Sequence, residues 1–350
     1  MALDVIHKFL NLVAPPFTFF ALLLLWAPFQ VFKFLLSILG SATAEDVAGK
    51  VIIITGASSG IGEHLAYEYA KRGACLVLAA RREVSLQEVA NRALHMGAPE
   101  ALAIRADVSI VEDCRRIVDQ AISHFGRIDH LVNNAGISSI SLFEEVEDLT
   151  SLRPVMDINF WGSVYMTRFA APHLRKSNGR IVVISSSAAW LSAPRMSIYN
   201  ASKAAMFEFF ETLRVEFGSD IKITVVTPGF IESELTQGKH LDNTGQLDVN
   251  SHLRDVQVNI IPIGRVEACA KAILNSACHG ERYLTHPPWF KVTYWWKLFT
   301  PEMLHYYHML LFMTFPGGST SPLGKKILDF TGCREIIYPK SLLESTPKID

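Results

Sequence analysis

The chain has 350 residues, enough for one large α/β domain with appended segments or at most two domains. Its formal net charge is −1, whereas nucleic-acid-binding proteins usually carry a basic excess, so the charge argues against that class of partner. The five cysteines are scattered without a Cys-x-x-Cys pair, which predicts reduced thiols rather than a disulfide framework or a zinc site.

The first forty residues are the most apolar part of the chain. Hydrophobic residues make up 49% of the whole sequence and its mean hydropathy is +0.22, which is high for a soluble protein. Between Leu12 and Leu39 the only charged residue is Lys33. A spanning helix needs about 20 apolar residues, and this run is long enough. We therefore predict that residues 1–40 form a hydrophobic anchor.

Three prolines leave the topology of this anchor open. Proline removes a backbone hydrogen bond and clashes with the preceding turn, so Pro15, Pro16 and Pro28 favour two apolar arms that meet at a bend and enter one leaflet. An exposed bend leaves backbone groups unpaired in hydrocarbon, which favours a spanning helix instead. The third alternative is a cleaved signal peptide, which Ala42-Thr43-Ala44 supports and the length of the apolar run opposes.

A nucleotide-binding pattern follows a polar linker at residues 41–47. The β-branched run Lys50–Thr55 predicts a buried parallel strand, and Glu63–Arg72 predicts a helix. The glycine-rich turn between them suits a dinucleotide, because its backbone can approach a pyrophosphate whose charge rests on the helix N-terminus. The predicted cofactor contacts in this turn are Gly56, Ser58, Ser59, Gly60, Ile61 and Gly62.

The end of the second predicted strand, Cys75–Ala80, indicates which dinucleotide is bound. Enzymes that bind an unphosphorylated ribose usually place Asp or Glu at this tip. Here the tip is Ala80, and Arg81 and Arg82 follow it. Guanidinium groups pair with a 2′-phosphate, which a carboxylate would repel, so the sequence predicts NADP(H). The alternative is that the two arginines only cap a solvated loop.

Strands and helices continue to alternate along the next part of the chain. The predicted elements are a strand at Leu102–Ile104, a helix at Glu112–Phe125 and a strand at Ile128–Val132. Repeated βα units predict an α/β fold, a Rossmann-type doubly wound parallel sheet with right-handed crossovers. Further candidate cofactor contacts at strand ends are Asp107, Val108, Asn133, Ala135 and Gly136, the first two toward adenine.

Tyr199 and Lys203 are four residues apart, so on a helix they would project from one face. A tyrosine has a pKa of about 10 and is a poor base at neutral pH, but a neighbouring ammonium would lower that pKa. Upstream, the predicted strand Ile181–Ile184 ends in Ser185-Ser186-Ser187, where a hydroxyl can hold a substrate oxygen. Tyr-x-x-x-Lys alone is an ordinary helix-surface pattern, and only this combination predicts proton-transfer chemistry.

These motifs together resemble the classical short-chain dehydrogenase/reductase family over roughly residues 48–283. The matching residues, in the family's order, are Thr55 to Gly62, Asn133-Asn134-Ala135-Gly136, Asn159, Ser186, Tyr199-x-x-x-Lys203 and Pro228-Gly229. The resemblance implies that Tyr199 is the general acid/base and that Ser186 orients the substrate carbonyl, with Ser185 as the alternative. It implies that Lys203 binds the nicotinamide ribose and that Asn159 maintains a proton relay. It also implies nicotinamide contacts at Pro228, Gly229, Ile231 and Ser233.

The chain also resembles a narrower group, the 11β-hydroxysteroid dehydrogenase-like enzymes, and its N-terminus is similar to that of plant steroleosins, which sit on oil bodies. This implies interconversion of a secondary alcohol and a ketone on a sterol-like substrate at a lipid droplet or the endoplasmic reticulum, with the catalytic domain facing the cytosol. Ser59 departs from NADP-using relatives that carry Lys there, so phosphate binding would depend on Arg81 and then Arg82. The alternatives are a non-catalytic lipid-droplet coat or sterol-binding protein, and the same chemistry on retinoid or acyl substrates.

The remaining parts of the chain predict a substrate loop and a C-terminal extension. Residues 234–262 have no strong periodicity and are expected to cover the site. Within the extension, residues 284–350, aromatic side chains are dense from Pro287 to Phe315. This composition suits a membrane interface or a pocket mouth, and packing against the core or a partner subunit is the alternative. The last dozen residues predict a flexible polar tail.

Two further expectations concern metals and assembly. His305 and His308 have a spacing compatible with metal ligation, but the sequence offers no evident third ligand, so we expect no metal. The helix ahead of Arg168 and the helix over Ala204–Phe217 are more apolar than a sheet-facing stripe requires. Members of the family dimerise through the corresponding helices, and this resemblance implies a homodimer.

Overall fold

The computed structural model of the chain describes residues 2–41, 44–314 and 321–344. It contains two compact units, Met1–Glu45 and Asp46–Asp350. Phe315, the last residue of the aromatic-rich stretch, lies outside the described residues, as do residues 42 and 43 of the candidate cleavage site.

The first unit is one long apolar helix, α1 (Ala2–Ser41). It runs without interruption through Pro15, Pro16 and Pro28, so the predicted bend between two arms is not found. A continuous helix pairs nearly all of its own backbone groups, whereas an open bend would leave several unpaired. Its stretch Leu3–Phe32 has a mean hydropathy of 1.9 and is not buried in the protein. By length and composition this stretch can cross a membrane.

The second unit is built on a seven-stranded parallel sheet with the strand order β3-β2-β1-β4-β5-β6-β9. The strands are β1 (Val51–Thr55), β2 (Cys75–Ala80), β3 (Ala101–Arg105), β4 (His130–Asn133), β5 (Arg180–Ile184), β6 (Lys222–Pro228) and β9 (Tyr283–His286). Two short strands, β7 (Lys239–Leu241) and β8 (Leu247–Val249), form a separate antiparallel pair. The predicted Rossmann-type sheet is confirmed.

Helices join these strands and complete the C-terminal part. They are α2 (Gly60–Ala70), α3 (Glu83–His95), α4 (Val111–Phe125), α5 (Arg153–Met156), α6 (Gly162–Ser177), α7 (Ser197–Phe217), α8 (Ser251–Val258), α9 (Val266–His279), α10 (Val292–Phe299), α11 (Pro301–Phe312), α12 (Leu323–Thr331), α13 (Arg334–Ile337) and α14 (Lys340–Glu344). A π-helical turn, Asp157–Trp161, separates α5 from α6.

Both faces of the sheet are buried. Successive side chains of a strand point to opposite faces. Ile52 and Ile54 of β1 therefore join a core formed with α2, α3 and α9, whereas Val51 and Ile53 join a second core formed with α4, α6 and α7. This double burial explains why the strand reads as an unbroken apolar run rather than as an alternating pattern.

The C-terminal extension is packed against the rest of the second unit. β9 pairs with β6, so the sheet extends beyond residue 283, where the sequence predicted the domain to end. Leu342 is buried in a cluster with Val258 and Leu328. The predicted flexible tail is therefore wrong for residues 339–344, because this segment supplies an apolar side chain that covers the end of α8. Residues 345–350 lie outside the described part of the chain.

Asn259 connects α8, α11 and the C-terminal segment. It is fully buried and has a φ of 62°, in the left-handed region. Its Nδ2 donates to the carbonyl oxygen of Leu311 at 2.9 Å, and its Oδ1 accepts from the backbone N–H of Ile260 at 2.8 Å. Its carbonyl oxygen accepts from the hydroxyl of Tyr338 at 3.1 Å. One asparagine therefore links the substrate loop to two C-terminal elements.

We expect Asn259→Ala to lower the free energy of unfolding by about 2–3 kcal/mol, because two side-chain hydrogen bonds are lost and alanine is strained at positive φ. The measurement is heat unfolding of the full chain in detergent, followed by circular dichroism. Asn91→Ala, on an exposed position of α3, is the control and should change stability by no more than about 0.5 kcal/mol. Equal stability of the two variants would contradict this role of Asn259.

Candidate active site

A cavity of about 660 Å³ lies where the sheet strands end. Its lining includes residues that directly follow β1, β2, β3, β4, β5 and β6. Parallel α/β sheets bind ligands at the carboxyl ends of their strands, and a cavity of this size accommodates an organic ligand of moderate size. The cavity is therefore the candidate active site.

The glycine-rich turn forms one wall of the cavity and cannot accept side chains at two positions. A Cβ built on Gly56, which has a φ of 65°, would lie 2.7 Å from the Cα of Ala135. A Cβ on Gly62 would lie 2.5 Å from the carbonyl oxygen of Gly56. Gly56, Ser58, Ser59, Gly60 and Ile61 line the cavity, whereas Gly62 lies behind the turn and keeps it tight.

After β4, the cavity is lined by Asn134 rather than by Asn133, which the sequence predicted. The side chain of Asn133 is buried on the other side, where Nδ2 donates to Thr167 Oγ1 at 3.0 Å. Asn134 Nδ2 donates to the carbonyl oxygen of Thr55 at 2.9 Å and so fixes the base of the glycine turn. Neighbouring side chains of a strand point to opposite faces, so the sequence could show that the two asparagines differ in direction but not which of them faces the cavity. Ala135 and Gly136 line the cavity as well.

The two arginines after β2 lie in different surroundings, although both line the cavity. The Arg81 side chain is 53% exposed and lies 3.9 Å from the carboxylate of Asp107. The Arg82 side chain is only 16% exposed, with Nη1 2.5 Å from Oε1 of Glu234 and Nη2 donating to Ser59 Oγ at 2.7 Å. Arg82 therefore connects the glycine turn to the substrate loop and does not merely cap a solvated loop.

Other predicted cofactor contacts also face the cavity. Asp107 and Val108 follow β3, and the Asp107 carboxylate accepts hydrogen bonds from the N–H and hydroxyl of Ser109, which shapes that turn. After β6, the cavity is lined by Pro228, Gly229, Ile231 and Ser233. A Cβ on Gly229 would lie 2.5 Å from the ring of Phe290, so a glycine is required where the C-terminal extension meets this wall.

Tyr199, Lys203 and Ser186 converge on the same cavity. Tyr199 and Lys203 lie in the first turns of α7, and Lys203 Nζ is 5.8 Å from the centre of the Tyr199 ring. Ser186 follows β5 and forms a side-chain hydrogen bond with Tyr199. Lys203 Nζ donates to the carbonyl oxygen of Ile184 at 3.0 Å, which holds the ammonium beside β5.

The geometry favours Ser186 over Ser185 as the substrate-facing serine. Ser185 is buried, and its hydroxyl donates to the carbonyl oxygen of Lys203 at 3.0 Å, so it ties β5 to α7. Ser186 is more exposed, and its Oγ accepts from the backbone N–H of Ala188 at 3.1 Å, which orients the hydroxyl toward Tyr199.

Asn159 lies behind the cavity wall, fully buried in the π-helical turn. Its Oδ1 accepts from the N–H of Ile137 at 2.8 Å, and its Nδ2 donates to Ser202 Oγ at 2.9 Å. A Cβ placed on Gly136 would lie 3.1 Å from Asn159 Oδ1 and 3.4 Å from Lys203 Nζ. The amide oxygen and the ammonium are therefore neighbours across Gly136, which suits a positioning role better than direct contact with a substrate.

Burial has the largest effect on the pKa values of Tyr199 and Lys203. It lowers the pKa of Lys203 to about 8, and it raises the pKa of Tyr199 despite the opposing hydrogen bond with Ser186. The predicted lowering of the Tyr199 pKa by Lys203 is therefore not found. The ammonium donates to a backbone carbonyl rather than to the phenol, and taking a phenolate out of water is unfavourable. In this arrangement Tyr199 holds its proton at neutral pH.

The remaining lining of the cavity, which we call its apolar half, is largely apolar and includes residues of both predicted segments. The aromatic-rich stretch contributes Trp289, Phe290, Val292, Trp296, Leu304, Tyr307 and Phe312, and the substrate loop contributes Leu235, Leu247, Val258 and Ile260. His240, which the residue-level predictions missed, is a buried polar exception whose Nδ1 lies 2.5 Å from Ser138 Oγ. Burial lowers the pKa of His240 to about 3, so the ring is neutral. His308 also lines the cavity, whereas His305 does not.

The fold and this site define the class of the protein. Residues 50–244, more than half of the chain, match the family model described as short chain dehydrogenase. The chain belongs to this family. It is therefore an oxidoreductase that acts on CH–OH groups and uses a nicotinamide cofactor.

The names of similar proteins indicate a narrower group within this family. An "11-beta-hydroxysteroid dehydrogenase A" from Sesamum indicum is 64% identical over 99% of this chain and 100% of its own length. An "11-beta-hydroxysteroid dehydrogenase 1A" from Arabidopsis thaliana is 57% identical over 99% of both chains. Among solved structures, a short chain dehydrogenase/reductase from Burkholderia phymatum in complex with NAD is 25% identical, with a TM-score of 0.64, over 75% of this chain and 96% of its own. The predicted family and the narrower resemblance are confirmed.

The pKa of Lys203 gives a pH-dependent prediction. Its pKa in the folded protein, about 8, lies below the value of about 10.5 expected in the unfolded chain. The unfavourable burial of the charge is therefore fully present below pH 8 and is relieved as the pH rises toward 10.5. Between these values, the native protein should gain up to roughly 3 kcal/mol relative to a Lys203→Met variant.

Thermal unfolding of both proteins at pH 7, 8, 9 and 10 measures this difference. Lys222→Met, which removes an exposed ammonium, is the control for the loss of one lysine. A stability difference between wild type and Lys203→Met that is constant across this range would show that burial does not perturb Lys203.

Proposed function

We propose that this protein is an NADP(H)-dependent hydroxysteroid dehydrogenase that interconverts a secondary alcohol and a ketone on a sterol-like substrate. The observation that carries the proposal is one cavity that brings Ser186, Tyr199 and Lys203 together with the glycine turn and opens into a largely apolar half. Such a cavity suits a rigid, mostly apolar substrate with a reacting oxygen. The names of the relatives, found over nearly the full chain, support the steroid class.

The proposed roles of the residues follow from their positions. When bound, the nicotinamide supplies or accepts the hydride at the substrate carbon. Tyr199 donates its hydroxyl proton to the substrate oxygen during reduction and receives it during oxidation, and Ser186 holds that oxygen with a hydrogen bond. The Lys203 ammonium, held by the carbonyl oxygen of Ile184, is assigned to the nicotinamide ribose, and Asn159 positions the groups around Gly136.

The preference for NADP(H) is proposed from the charges after β2. Ala80 ends the strand without a carboxylate, and the guanidinium groups of Arg81 and Arg82 face the cavity. We assign pyrophosphate contacts to the glycine turn and adenine contacts to Asp107 and Val108. The nicotinamide contacts are assigned to Pro228, Gly229, Ile231 and Ser233.

The alternative function is a sterol-binding or coat protein without catalysis. A binding protein needs the apolar half of the cavity but not a serine, a tyrosine and a lysine at its other end. The same chemistry on a retinoid or an acyl substrate uses the same residues and differs only in what fills the apolar half. Comparing the turnover of steroids with the turnover of retinoid and acyl substrates distinguishes the two enzymatic alternatives.

Tyr199→Phe should reduce turnover about 10²–10⁴-fold, because the proton donor is removed. Binding of NADPH should stay within about twofold of wild type, since the ring and Lys203 remain. Turnover is measured by NADPH consumption with ketosteroids and NADP reduction with steroid alcohols, and binding by quenching of tryptophan fluorescence. Tyr306→Phe, on an exposed face of α11, is the control. Full activity of Tyr199→Phe would refute the assignment, and sterol binding without turnover by the wild type would favour the binding protein.

We also propose that the protein is attached to a lipid droplet or to the endoplasmic reticulum through α1, with the second unit on the cytosolic side. Leu3–Phe32 supplies the apolar length. In the second unit, α10 and α11 expose Trp295, Phe299 and Tyr306. Trp289 and Trp296 are partly exposed as well and also line the cavity. Aromatic rings at a cavity mouth suit a lipid interface through which an apolar substrate arrives.

Deletion of residues 1–40 should remove most of the protein from vesicles of neutral phospholipid in a flotation assay while catalysis is retained. A weaker binding of the truncated protein to the vesicles should persist. Adding Trp295→Ser and Phe299→Ser should reduce it further, because both rings are exposed on α10, a helix that also contributes Trp296 to the cavity. Phe330→Ser, a still more exposed ring on α12, is the control for non-specific apolar binding. Unchanged flotation after the deletion would contradict anchoring by α1.

A homodimer through α6 and α7 is part of the proposal. Trp161, just before α6, and Val215, near the end of α7, are exposed apolar side chains on these elements. Burial of such groups between two copies would lower their exposure to water. The mass of the detergent-solubilised protein, determined by light scattering, distinguishes a monomer from a dimer.

A further inference from the structure

We propose that Glu234 controls how strongly the protein selects a 2′-phosphorylated dinucleotide, by competing with the phosphate for Arg82. This inference rests on the proposed use of NADP(H) and adds a residue of the substrate loop to the recognition of the cofactor. It concerns three charged side chains that meet inside the cavity, Arg82, Glu234 and Lys239.

Arg82 places its charge directly over the glycine turn. Its Nη2 donates to Ser59 Oγ at 2.7 Å. The guanidinium therefore lies beside the turn position at which this chain has serine where some NADP-using relatives carry lysine. Arg81, the other candidate, is more than half exposed and faces Asp107 at 3.9 Å. Charge interactions are stronger in partly buried surroundings than in solvent. A phosphate beside Ser59 would therefore gain more from Arg82 than from Arg81.

The Arg82 charge is balanced by a carboxylate from another part of the chain. Glu234 Oε1 lies 2.5 Å from Arg82 Nη1, and both side chains are less than one-fifth exposed. Glu234 follows Ser233 in the substrate loop, so the ion pair joins that loop to the tip of β2. A 2′-phosphate near Arg82 would be repelled by Glu234 unless the ion pair opens or reorients.

Lys239 gives the carboxylate a second partner when Arg82 is engaged elsewhere. Its Nζ lies 3.4 Å from Glu234 Oε2, and the lysine is buried. Transfer of Arg82 from Glu234 to a phosphate would leave Glu234 paired with Lys239 rather than unpaired in a partly buried position, which would be costly. The cluster can therefore exchange partners without leaving Glu234 unpaired.

This arrangement predicts a change in the ratio of the dissociation constants of NADPH and NADH when Glu234 loses its charge. Glu234→Gln removes the competing charge and keeps a side chain of the same shape. NADPH and adenosine 2′,5′-bisphosphate should bind about 3–10-fold more tightly to this variant, whereas NADH and 5′-AMP should change less than about twofold. Dissociation constants are measured with the full chain in detergent, by fluorescence quenching and calorimetry, without any steroid.

Two controls isolate the interaction. Glu232→Gln removes a carboxylate two residues away that does not line the cavity, and it should leave the NADPH/NADH ratio unchanged. In an Arg82→Met background, Glu234→Gln should lose most of its effect on the ratio, because the partner through which it acts is gone. An unchanged ratio in Glu234→Gln, an equal change for NADPH and NADH, or an effect that persists without Arg82 would each overturn the inference.

The outcome is separable from the proposed function. The preference of the wild type for NADPH or NADH tests the cofactor proposal, whereas the change in that preference on Glu234→Gln tests the role of Glu234. Steroid turnover is tested separately by Tyr199→Phe. A wild type that prefers NADH would overturn the cofactor proposal, and a shift of the ratio toward NADPH in the variant would still show that Glu234 opposes the phosphate.

Discussion

Helices cover both faces of the parallel sheet, and this burial leaves the ends of the strands as the place where polar side chains can meet a ligand. Ile52 and Ile54 face one core while Val51 and Ile53 face the other, so these four side chains of β1 are buried in the cores and do not face the cavity. The carboxyl end of the strand leads into a glycine-rich turn that has no room for a side chain at Gly56 or Gly62. The same constraint places Ser186, after β5, and the residues after β6 around one cavity.

Burial also sets the charge states within that cavity. Taking an ionisable group out of water favours its neutral form, which raises the pKa of Tyr199 and lowers the pKa of Lys203 and of His240. Charges that are retained in the cavity have partners: Arg82 with Glu234, and Glu234 with Lys239. The protein therefore combines a neutral proton donor, Tyr199, with a small network of paired charges beside the glycine turn.

The C-terminal extension is part of the site rather than an appendage. Phe290 occupies the space beside Gly229, and residues of α10 and α11 form part of the apolar half of the cavity. Asn259 joins the substrate loop to α11 and to Tyr338, so the loop that covers the cavity is held by the last described part of the chain. A largely apolar cavity bordered by exposed aromatic rings is consistent with the names of the two plant relatives, which refer to a hydroxysteroid.

The sequence by itself determined what depends on near neighbours in the chain: the buried strands, the glycine turn, the four-residue spacing of Tyr199 and Lys203, and the apolar character of the N-terminal segment. These features follow from periodicity and from the conformations that glycine alone allows. Tertiary structure alone decided which of Asn133 and Asn134 faces the cavity, that Glu234 reaches Arg82, that Lys203 donates to Ile184, and that residues 339–344 are packed. Each of these depends on contacts between residues far apart in the chain, or on the balance between burial and charge, and neither has a local signature.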